Sequence, residues 1–336
     1  MEQIFTGLSS LAVVYRRYGA PSEVVEVARE EIPPPGPGEA LVAMRRAPIH
    51  PADLNTLEGT YGIPREPPAV GGGEGVGVIA KIGDGVEGWR LGQMVRLPPG
   101  VGTWREHFVA KASRLRPLPE GLTLDQAAGL TVNPPTAWRM LEDFVSLLPG
   151  DWIAQNAANS AVGRCVIQIA RHRGWKTLNL VRRPEWVAEL EALGADAVLV
   201  EDEDLPRRAR EAVGGSPIPL ALNAVGGESA RSLSRILASG GTLVTYGGMS
   251  RRPISLGAGP MIFKDLRYRG FWVTRWFQEA PPEKAAAMIE EIAALMRAGK
   301  LEIPVARRFP LGEARAAIAL AQAGGRRGKV MFAMEA

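Results

Sequence analysis

The sequence predicts an α/β protein in which a small β-rich domain precedes a doubly wound parallel sheet. Three observations support this fold class: a length of 336 residues, many Gly and Pro residues in the first part of the chain, and alternating strand and helix patterns in the second part. Domains usually hold about 100–200 residues, so the length accommodates two of them. Strands that alternate with helices indicate a parallel sheet.

The first part of the chain contains short apolar runs between glycine and proline turns. Residues 40–44 and 78–82 are typical of strands, and Gly83 begins the turn that ends the second one. Residues 51–59 are predicted as a short helix, because Pro and Asp are common in the first turn of a helix. Strands at this spacing predict a small β-barrel-like domain.

The second part contains longer helical patterns between short apolar runs. Helices are predicted at 124–129 and 135–144, from the end of the segment 151–163 to about 174, and at 184–193, and strands at 177–182, 197–200, 220–225 and 241–246. Apolar residues between 285 and 296 mark one face of an amphipathic helix. Residues 329–334 resemble a strand, so we expect the chain to return to the first domain. The predicted domains are therefore 1–128 with 274–336, and 129–273.

Residues 151–163 have the pattern of a strand, a tight turn and the start of a helix. Of the dinucleotide fingerprint Gly-x-Gly-x-x-Gly only the third glycine is present, as Gly163, and Ala158 and Ser160 occupy the first two positions. Small residues there still allow the backbone to approach a pyrophosphate at the helix N-terminus. The turn alone is equally compatible with an ordinary strand-to-helix connection.

Two arginines, Arg182 and Arg183, follow the next strand, 19 and 20 residues after Gly163. In a β-α-β unit an acidic residue near this position selects NAD, whereas Arg accommodates the 2′-phosphate of NADP. The pair therefore predicts an NADPH site. The alternative is a solvated basic loop.

Composition excludes several other classes of function. The net charge of +4 and the lack of a long basic block argue against nucleic-acid binding. The single cysteine, Cys165, excludes an intrachain disulfide and a multi-cysteine zinc cluster. The first residues lack a secretory signal, and no apolar run is long enough to predict a membrane span. From these features we expect a cytoplasmic enzyme.

Further motifs resemble the medium-chain dehydrogenase/reductase superfamily. They are IHPADLN at 49–55, GTYG at 59–62, AVGGGEG at 69–75 and GTWR at 102–105. Within the superfamily, the mitochondrial-type trans-2-enoyl-thioester reductases are resembled over nearly the whole chain, by TVNPPTA at 131–137, QNAANS at 155–160, NAVGG at 223–227, VTYGGM at 244–249 and IFKDLRYRGFW at 262–272.

The resemblance implies a GroES-like catalytic domain and a Rossmann cofactor domain, usually in a homodimer, with the site in the cleft between the domains. It also implies NADPH-dependent reduction of enoyl thioesters, carried by CoA or acyl carrier protein, in fatty acid biosynthesis. Zinc alcohol dehydrogenases of the superfamily have Gly-His-Glu where this chain has Gly72, Gly73 and Glu74. Because the His is replaced and Cys165 stands alone, we expect a zinc-independent enzyme.

The resemblance further implies roles for individual residues. The proton donor of the family falls on Tyr61. The cofactor contacts fall on Asn133, Asn159, Ser160, Ala161, Val162, Gly163, Arg182, Arg183, Pro184, Tyr246, Gly247, Gly248, Met249, Phe271, Trp272, Val273 and Lys329. Two positions depart from the family: Ala161 replaces a common Gly, and Arg183 replaces a common Asp. The extra cation at Arg183 favours a 2′-phosphate.

Two other functions fit much of the same pattern. One is a zinc-free NADPH quinone reductase of the same superfamily. It shares the fold, so only Tyr61 and the sequence around Asn133 argue against it. The other is a protein that binds NADPH without catalysis. A comparison of crotonyl-CoA with a quinone as acceptor separates these possibilities.

Overall fold

The computed structural model describes residues 7–98 and 100–335, and the chain divides into two compact units. Unit 1 consists of Met1–Thr131 and Ile303–Ala336, and unit 2 of Val132–Glu302. The α/β fold class predicted from the sequence is confirmed. The domain borders drawn from the sequence stay a prediction; residues 274–302, which they assign to the first domain, lie in unit 2.

The first segment of unit 1 contains eight labelled strands and three short helices in its described part. They are β1 (Leu8–Tyr15), α1 (Pro21–Val24), β2 (Val25–Ile32), β3 (Glu39–Pro48), α2 (Pro51–Glu58), β4 (Ala69–Val70), β5 (Val76–Ile82), β6 (Met94–Arg96), β7 (His107–Lys111), β8 (Arg116–Pro117) and α3 (Leu124–Ala128). Helix α2 begins at Pro51 after His50 and ends at Gly59, whose φ of 73° is left-handed.

Unit 2 alternates helices with strands, as the sequence pattern predicts. Its elements are α4 (Asn133–Glu142), β9 (Trp152–Gln155), α5 (Ala161–Arg173), β10 (Lys176–Val181), α6 (Val187–Leu193), β11 (Ala197–Val200), α7 (Leu205–Ala212), β12 (Leu220–Asn223), α8 (Gly227–Ile236), β13 (Thr242–Thr245), α9 (Ala258–Lys264), β14 (Arg267–Gly270), α10 (Val273–Glu279) and α11 (Pro282–Arg297). The helix expected at 184–193 is divided, because Pro184–Trp186 forms a 3-10 turn before α6.

The chain then returns to unit 1 through β15 (Val305–Phe309), α12 (Ala314–Gln322) and β16 (Lys329–Ala333). Strand β16 lies between β15, to which it is parallel, and β3, to which it is antiparallel. The seven-stranded sheet of unit 1 has the order β15-β16-β3-β5-β6-β8, with β7 also paired to β3. Strands β2, β1 and β4 form a smaller sheet. Trp104 and Phe332 are fully buried in the core of this unit, with their rings in edge contact.

The sheet of unit 2 is parallel throughout, with the order β11-β10-β9-β12-β13-β14. Counted along the unit's own strands this is 3-2-1-4-5-6, the doubly wound order of dinucleotide-binding folds. The order reverses between β9 and β12, and ligands of such sheets bind at the carboxyl ends of the strands beside this reversal. Within the described ranges, no helix is long and apolar enough to cross a membrane.

Candidate active site

The connection from β9 to α5 forms a tight turn at the carboxyl end of the central strand. Ala157 adopts a left-handed φ of 47°, and the Ala158 amide donates to the Leu180 carbonyl of β10. Ser160 caps α5, because its hydroxyl accepts a hydrogen bond from the Gly163 amide at 3.1 Å. Helix α5 therefore begins at the sheet edge with further amide groups and the positive end of its dipole, which suit a phosphate.

Gly163 is required by packing in this turn. A Cβ atom at this position would lie 2.5 Å from the Ala158 carbonyl oxygen and 2.7 Å from its Cα. Any side chain would therefore push α5 away from the turn. This close approach is the task of the third glycine of the dinucleotide fingerprint, and it is the glycine that the sequence retains.

Arg182 and Arg183 follow β10 directly, and both residues are exposed. Arg183 makes a solvent-exposed ion pair with Glu185 at 3.5 Å, and Pro184 begins the next 3-10 turn. Exposed pairs of this kind contribute little to stability, so a bound anion can displace Glu185 at small cost. The two guanidinium groups suit the 2′-phosphate of NADP in their charge and in their place after the second strand.

A network of buried amides joins the carboxyl ends of β9 and β12. The Asn156 side chain donates to Asn223 Oδ1 at 2.8 Å and accepts from the Ala224 amide at 2.7 Å. Asn223 Oδ1 also accepts from the amides of Val225 and Gly226. Both asparagines are fully buried. The network fixes two loops at the point where the strand order reverses.

The network continues to the acidic residue Glu201 at the end of β11. Asn156 donates to the Ser229 hydroxyl at 2.9 Å, and Ser229 donates to Glu201 Oε1 at 2.5 Å. Burial raises the pKa of the Glu201 carboxyl, whereas the Ser229 hydrogen bond and the charge of Arg182 oppose this shift. Glu201 is therefore an acid whose charge acts on one of the two predicted phosphate ligands.

The loop after β13 contains the predicted contacts Tyr246 to Met249. The Tyr246 amide donates to the Asn223 carbonyl, and the Met249 amide donates to the Ala224 carbonyl, so this loop follows the end of β12. Burial raises the pKa of the Tyr246 hydroxyl, and the neighbouring Ser160 hydroxyl opposes the shift. Gly247 again permits close approach, because a Cβ there would lie 2.9 Å from the Ala224 carbonyl oxygen. Gly248 and Met249 are exposed.

The remaining predicted contacts of unit 2 lie after β14 and at the start of α4. The Phe271 amide donates to the Thr245 carbonyl, Trp272 is half-buried, and Val273 begins α10. Asn133 is the first residue of α4 and not its cap, because Val132 holds the cap position without a side-chain bond. The buried Asn133 Oδ1 has no hydrogen-bond partner among the described residues. A buried acceptor of this kind suits a polar ligand.

The predicted proton donor, Tyr61, belongs to unit 1. It follows α2 and the left-handed Gly59, and its amide donates to the Asn55 carbonyl at 3.1 Å. The residue is half-buried. Its backbone is therefore tied to the C-terminal turn of α2.

Lys329, the predicted contact in the last strand, lies in a buried charged group of unit 1. Its Nζ lies 2.8 Å from His50 Nδ1, and His50 Nε2 lies 2.7 Å from Glu74 Oε2. The second carboxylate oxygen of Glu74 accepts from the amide and the hydroxyl of Thr131, at 2.7 and 2.9 Å. Lys329, His50 and Glu74 are each at most 7% exposed.

Asp53 adds a second carboxylate to this buried group. Its Oδ2 accepts from the His50 amide at 2.7 Å, which closes the first turn of α2. Burial raises the pKa of the Asp53 carboxyl, while the hydrogen bond from the His50 amide and the charge of Lys329 oppose the shift. A Cβ on Gly73 would already lie 3.2 Å from Asp53 Oδ1, so the glycine leaves room for this carboxylate.

The residues of unit 1 do not fit a zinc ion. No group of three or more His, Cys, Asp or Glu side chains that could hold a metal occurs in the described part of the chain. Glu74 is held by His50 and Thr131, and Cys165 is buried in α5 of unit 2. No step of the chemistry below is assigned to a metal.

The structure thus brings together some predicted residues and adds others. Within unit 2, Ser160, Gly163 and the loop that begins at Tyr246 lie at the carboxyl ends of neighbouring strands. Tyr61 and Lys329 lie in unit 1. The sequence analysis gave no role to the remaining polar residues of these networks, namely His50, Asp53, Glu74, Thr131, Asn156, Glu201, Asn223 and Ser229. Five of them, His50, Asp53, Glu74, Asn156 and Asn223, are more than nine-tenths buried, a burial that local sequence patterns do not reveal.

Comparison with known families places both parts of the chain in one superfamily. Residues 36–120 match the family described as alcohol dehydrogenase GroES-like domain, and residues 193–331 match the family described as zinc-binding dehydrogenase. The chain is 43% identical over 302 residues to the mitochondrial enoyl-[acyl-carrier-protein] reductase of Caenorhabditis elegans, covering 88% of this chain and 86% of the relative.

Solved structures give the same picture. The mitochondrial 2-enoyl thioester reductase Etr1p/Etr2p heterodimer from Candida tropicalis has a TM-score of 0.89 and 31% identity, over 97% of this chain and all of the other. A complex of Etr1p with NADP and crotonyl-CoA matches with the same values. A putative NADPH:quinone reductase from Bacillus thuringiensis has a TM-score of 0.90 and 26% identity, over 98% of this chain and all of the other.

The relatives correct one expectation. The sequence predicts a cytoplasmic enzyme, and this prediction is wrong. The curated relatives from worm, cattle, human and Arabidopsis thaliana are named mitochondrial. The expectation depended on the lack of a secretory signal and of a membrane span. These features do not distinguish the cytoplasm from the interior of an organelle.

Proposed function

We propose that this chain, which belongs to the mitochondrial enoyl-[acyl-carrier-protein] reductase family, reduces trans-2-enoyl thioesters to acyl thioesters with NADPH. The observation that carries the proposal is identity of 43% over 86% of a relative with this activity in its name. The fold adds a doubly wound sheet whose strand reversal is lined by the buried Asn156 and Asn223. The described residues of the fold do not indicate a different cofactor.

The residues of unit 2 suit NADPH as the cofactor. Ser160 and the first amides of α5 would hold the pyrophosphate, Arg182 and Arg183 the 2′-phosphate, and Asn133 the nicotinamide end. Tyr246 to Met249 and Phe271 to Val273 extend this surface along the carboxyl ends of β13 and β14. When bound, NADPH supplies the hydride that is added to C3 of the enoyl thioester.

Tyr61 is the proposed general acid. Addition of a hydride at C3 leaves negative charge on the thioester oxygen as an enolate, and C2 must then receive a proton. Phenols have an ordinary pKa of about 10, so a tyrosine is protonated at neutral pH and can donate. We assign the donated proton to the Tyr61 hydroxyl.

A quinone reductase is the second candidate, favoured by the TM-score of 0.90 to a protein named as a putative NADPH:quinone reductase. A protein that binds NADPH without catalysis is the third. All three share the cofactor, so the acceptor decides between them. We expect crotonyl-CoA to be reduced with a far higher kcat/KM than a soluble quinone.

The assay oxidises NADPH with crotonyl-CoA or with a quinone, before and after prolonged dialysis against a chelator. Turnover of crotonyl-CoA that survives the dialysis supports the proposal and its zinc-independent form. Turnover of the quinone alone favours the second candidate, and tight NADPH binding without any turnover favours the third. Activity that is lost on dialysis and restored by zinc contradicts the assignment of Gly73.

We also propose that two copies of the chain assemble through the β14 edge of the sheet. Strand β14 pairs with β13 on one side and stands last in the sheet order. Just before it, Phe263 is 85% and Ile262 is 70% exposed, which is unusual for large apolar side chains next to one another. A twofold axis beside an edge strand pairs that strand with its own copy and covers both side chains.

Light scattering tests this assembly. We expect wild type to have the mass of two chains, and Phe263→Ser with Ile262→Ser to shift it toward one chain. Leu148→Ser is the matched control, because Leu148 is 69% exposed elsewhere in unit 2. A monomeric wild type, or a double variant that stays dimeric, contradicts the proposed interface.

A further inference from the structure

The buried group in unit 1 holds a histidine between a cation and a carboxylate. His50 Nδ1 is 2.8 Å from the Lys329 ammonium, and His50 Nε2 is 2.7 Å from Glu74. A carboxylate only accepts and an ammonium only donates. Both contacts are satisfied together when the ring is neutral, accepts at Nδ1 and donates its single proton from Nε2.

The neighbours of the ring favour this arrangement of protons. Glu74 accepts two further hydrogen bonds from Thr131 at its other oxygen, so the donor in its contact with the ring is His50 Nε2. A neutral ring adds no further charge to the buried group of Lys329, Glu74 and Asp53, and each additional buried charge is costly to desolvate. The Asp53 carboxylate accepts from the His50 backbone amide.

We propose that His50 is a positioning residue for Lys329, which the family resemblance assigns to the cofactor contacts. A lysine side chain has four rotatable bonds, and a partner at Nζ removes most of their freedom before the cofactor arrives. Glu74 acts through the ring, because its carboxylate fixes the proton on Nε2 and so keeps Nδ1 an acceptor. The inference rests on the proposed function in one respect, namely that a fixed Lys329 side chain improves cofactor binding.

The arrangement of protons is tested without any activity. The chain has three histidines, so ¹⁵N-labelled histidine in the intact protein gives three ring signals, which His50→Gln and His107→Gln assign. We expect the His50 ring to be the neutral tautomer with the proton on Nε2, and its Nδ1 signal to move in Lys329→Met. A ring with a proton on Nδ1, or one with two protons, overturns the proposal.

Two substitutions separate the two hydrogen bonds of the ring. In His50→Asn the amide oxygen can stand near the place of Nδ1 and accept from Lys329. In His50→Gln the amide nitrogen can stand near the place of Nε2 and donate to Glu74. We expect His50→Gln to weaken NADPH binding about tenfold, the scale of one charge-assisted hydrogen bond, and His50→Asn to weaken it less than twofold.

NADPH binding is followed by fluorescence titration, and folding of each variant by its Tm. His107→Gln is the matched control, a half-buried histidine of the same unit, and should leave the Kd unchanged. Equal NADPH affinity in His50→Asn, His50→Gln and wild type overturns the positioning role, even if both variants lower the Tm. If wild type binds NADPH but reduces no enoyl thioester, the proposed function fails while the test of His50 stands.

Discussion

The candidate-site residues of the two units differ in the polar groups that they bury. Unit 1 buries full charges, with Lys329, Glu74 and Asp53 around one imidazole. At the carboxyl end of its sheet, unit 2 buries neutral amides, chiefly Asn156 and Asn223, while the two arginines there, Arg182 and Arg183, are exposed. A buried charge is tolerated only when it is paired, whereas exposed cations stay available to a ligand.

This difference predicts separate effects for the arginines of unit 2 and for Tyr61 of unit 1, apart from His50 and Lys329, which are proposed to act on cofactor binding. The exposed Arg182 and Arg183 and the first amides of α5 in unit 2 suit an anionic ligand. Changes at these residues should therefore alter the affinity for the cofactor. The proposed acid belongs to unit 1, so its loss should alter turnover with little effect on affinity. Arginine variants that lower kcat without changing cofactor affinity, or a Tyr61 variant that changes cofactor affinity, would contradict the comparison.

The largest effect is expected for Tyr61→Phe, which removes one hydroxyl. If Tyr61 alone donates the proton to C2, kcat for crotonyl-CoA should fall at least ~100-fold, because general acids contribute typically 10²–10⁴-fold. The Kd of NADPH and the Tm should hardly change. Quinone reduction needs no proton on carbon and should suffer much less, which makes it an internal control.

Tyr18→Phe is the matched substitution in the same unit. The Tyr18 hydroxyl is buried without a hydrogen-bond partner among the described residues, so its removal should leave kcat unchanged. A fall of only a few-fold in Tyr61→Phe would assign Tyr61 to packing or substrate orientation. The quinone-reductase candidate would then gain support.

The next largest effect concerns the arginines of unit 2. We expect NADPH to bind at least tenfold more tightly than NADH, because charge-assisted hydrogen bonds to a phosphate are worth about 1.5–3 kcal/mol. Changing Arg182 and Arg183 to Ala should erase most of this preference while kcat at saturation changes little. Fluorescence titration with both cofactors measures it.

Arg207→Ala is the control, since Arg207 is an exposed arginine of the same unit that is paired within and beside α7. Its cofactor preference should equal that of wild type. Equal affinities of wild type for NADPH and NADH would defeat the assignment of the 2′-phosphate site.

The fold of unit 2 is more predictable from sequence than that of unit 1, for a physical reason. Central parallel strands are buried on both faces and appear as apolar runs, so the strand predicted at 177–182 lies at Lys176–Val181. Edge strand β14, with the sequence Arg-Tyr-Arg-Gly, carries no such signal and was not predicted. Strand β2 was also not predicted, because its sequence Val-Glu-Val-Ala-Arg-Glu-Glu-Ile has three consecutive charged residues and does not keep the alternation typical of a half-buried strand.

The candidate-site residues also differ in how well the sequence predicts them. Gly163 and the arginines are local to one β-α-β unit, so their spacing carries information. His50 is 24 residues from Glu74 and 279 residues from Lys329; pairing of β3 with β5 brings Glu74 close, and pairing of β3 with β16 brings Lys329 close. The replacement of His by Gly73 predicts a zinc-independent enzyme from the sequence alone, but no local pattern indicates the partner of the adjacent Glu74.

The smallest expected effect concerns Glu201, the acidic residue of unit 2 that interacts electrostatically with Arg182. Because burial raises the pKa of this carboxyl, the acid is neutral at low pH and becomes charged as the pH rises through that pKa. The charged form competes with a 2′-phosphate for Arg182. Glu201→Gln keeps an acceptor for the Ser229 hydroxyl and removes the charge.

We therefore expect Glu201→Gln to bind NADPH about 1.5- to 5-fold more tightly than wild type at pH 8, the range of a partly exposed charge interaction. The advantage should shrink toward none as the pH falls below the pKa of Glu201. The phosphate of the cofactor also titrates, with a second pKa near ~6, but this affects both proteins and cancels in the ratio of their Kd values. Glu203→Gln, an exposed acid two residues away, should show a ratio near one at every pH. A ratio for Glu201→Gln that is independent of pH would mean that Glu201 acts on the asparagine network and not on the charge of Arg182.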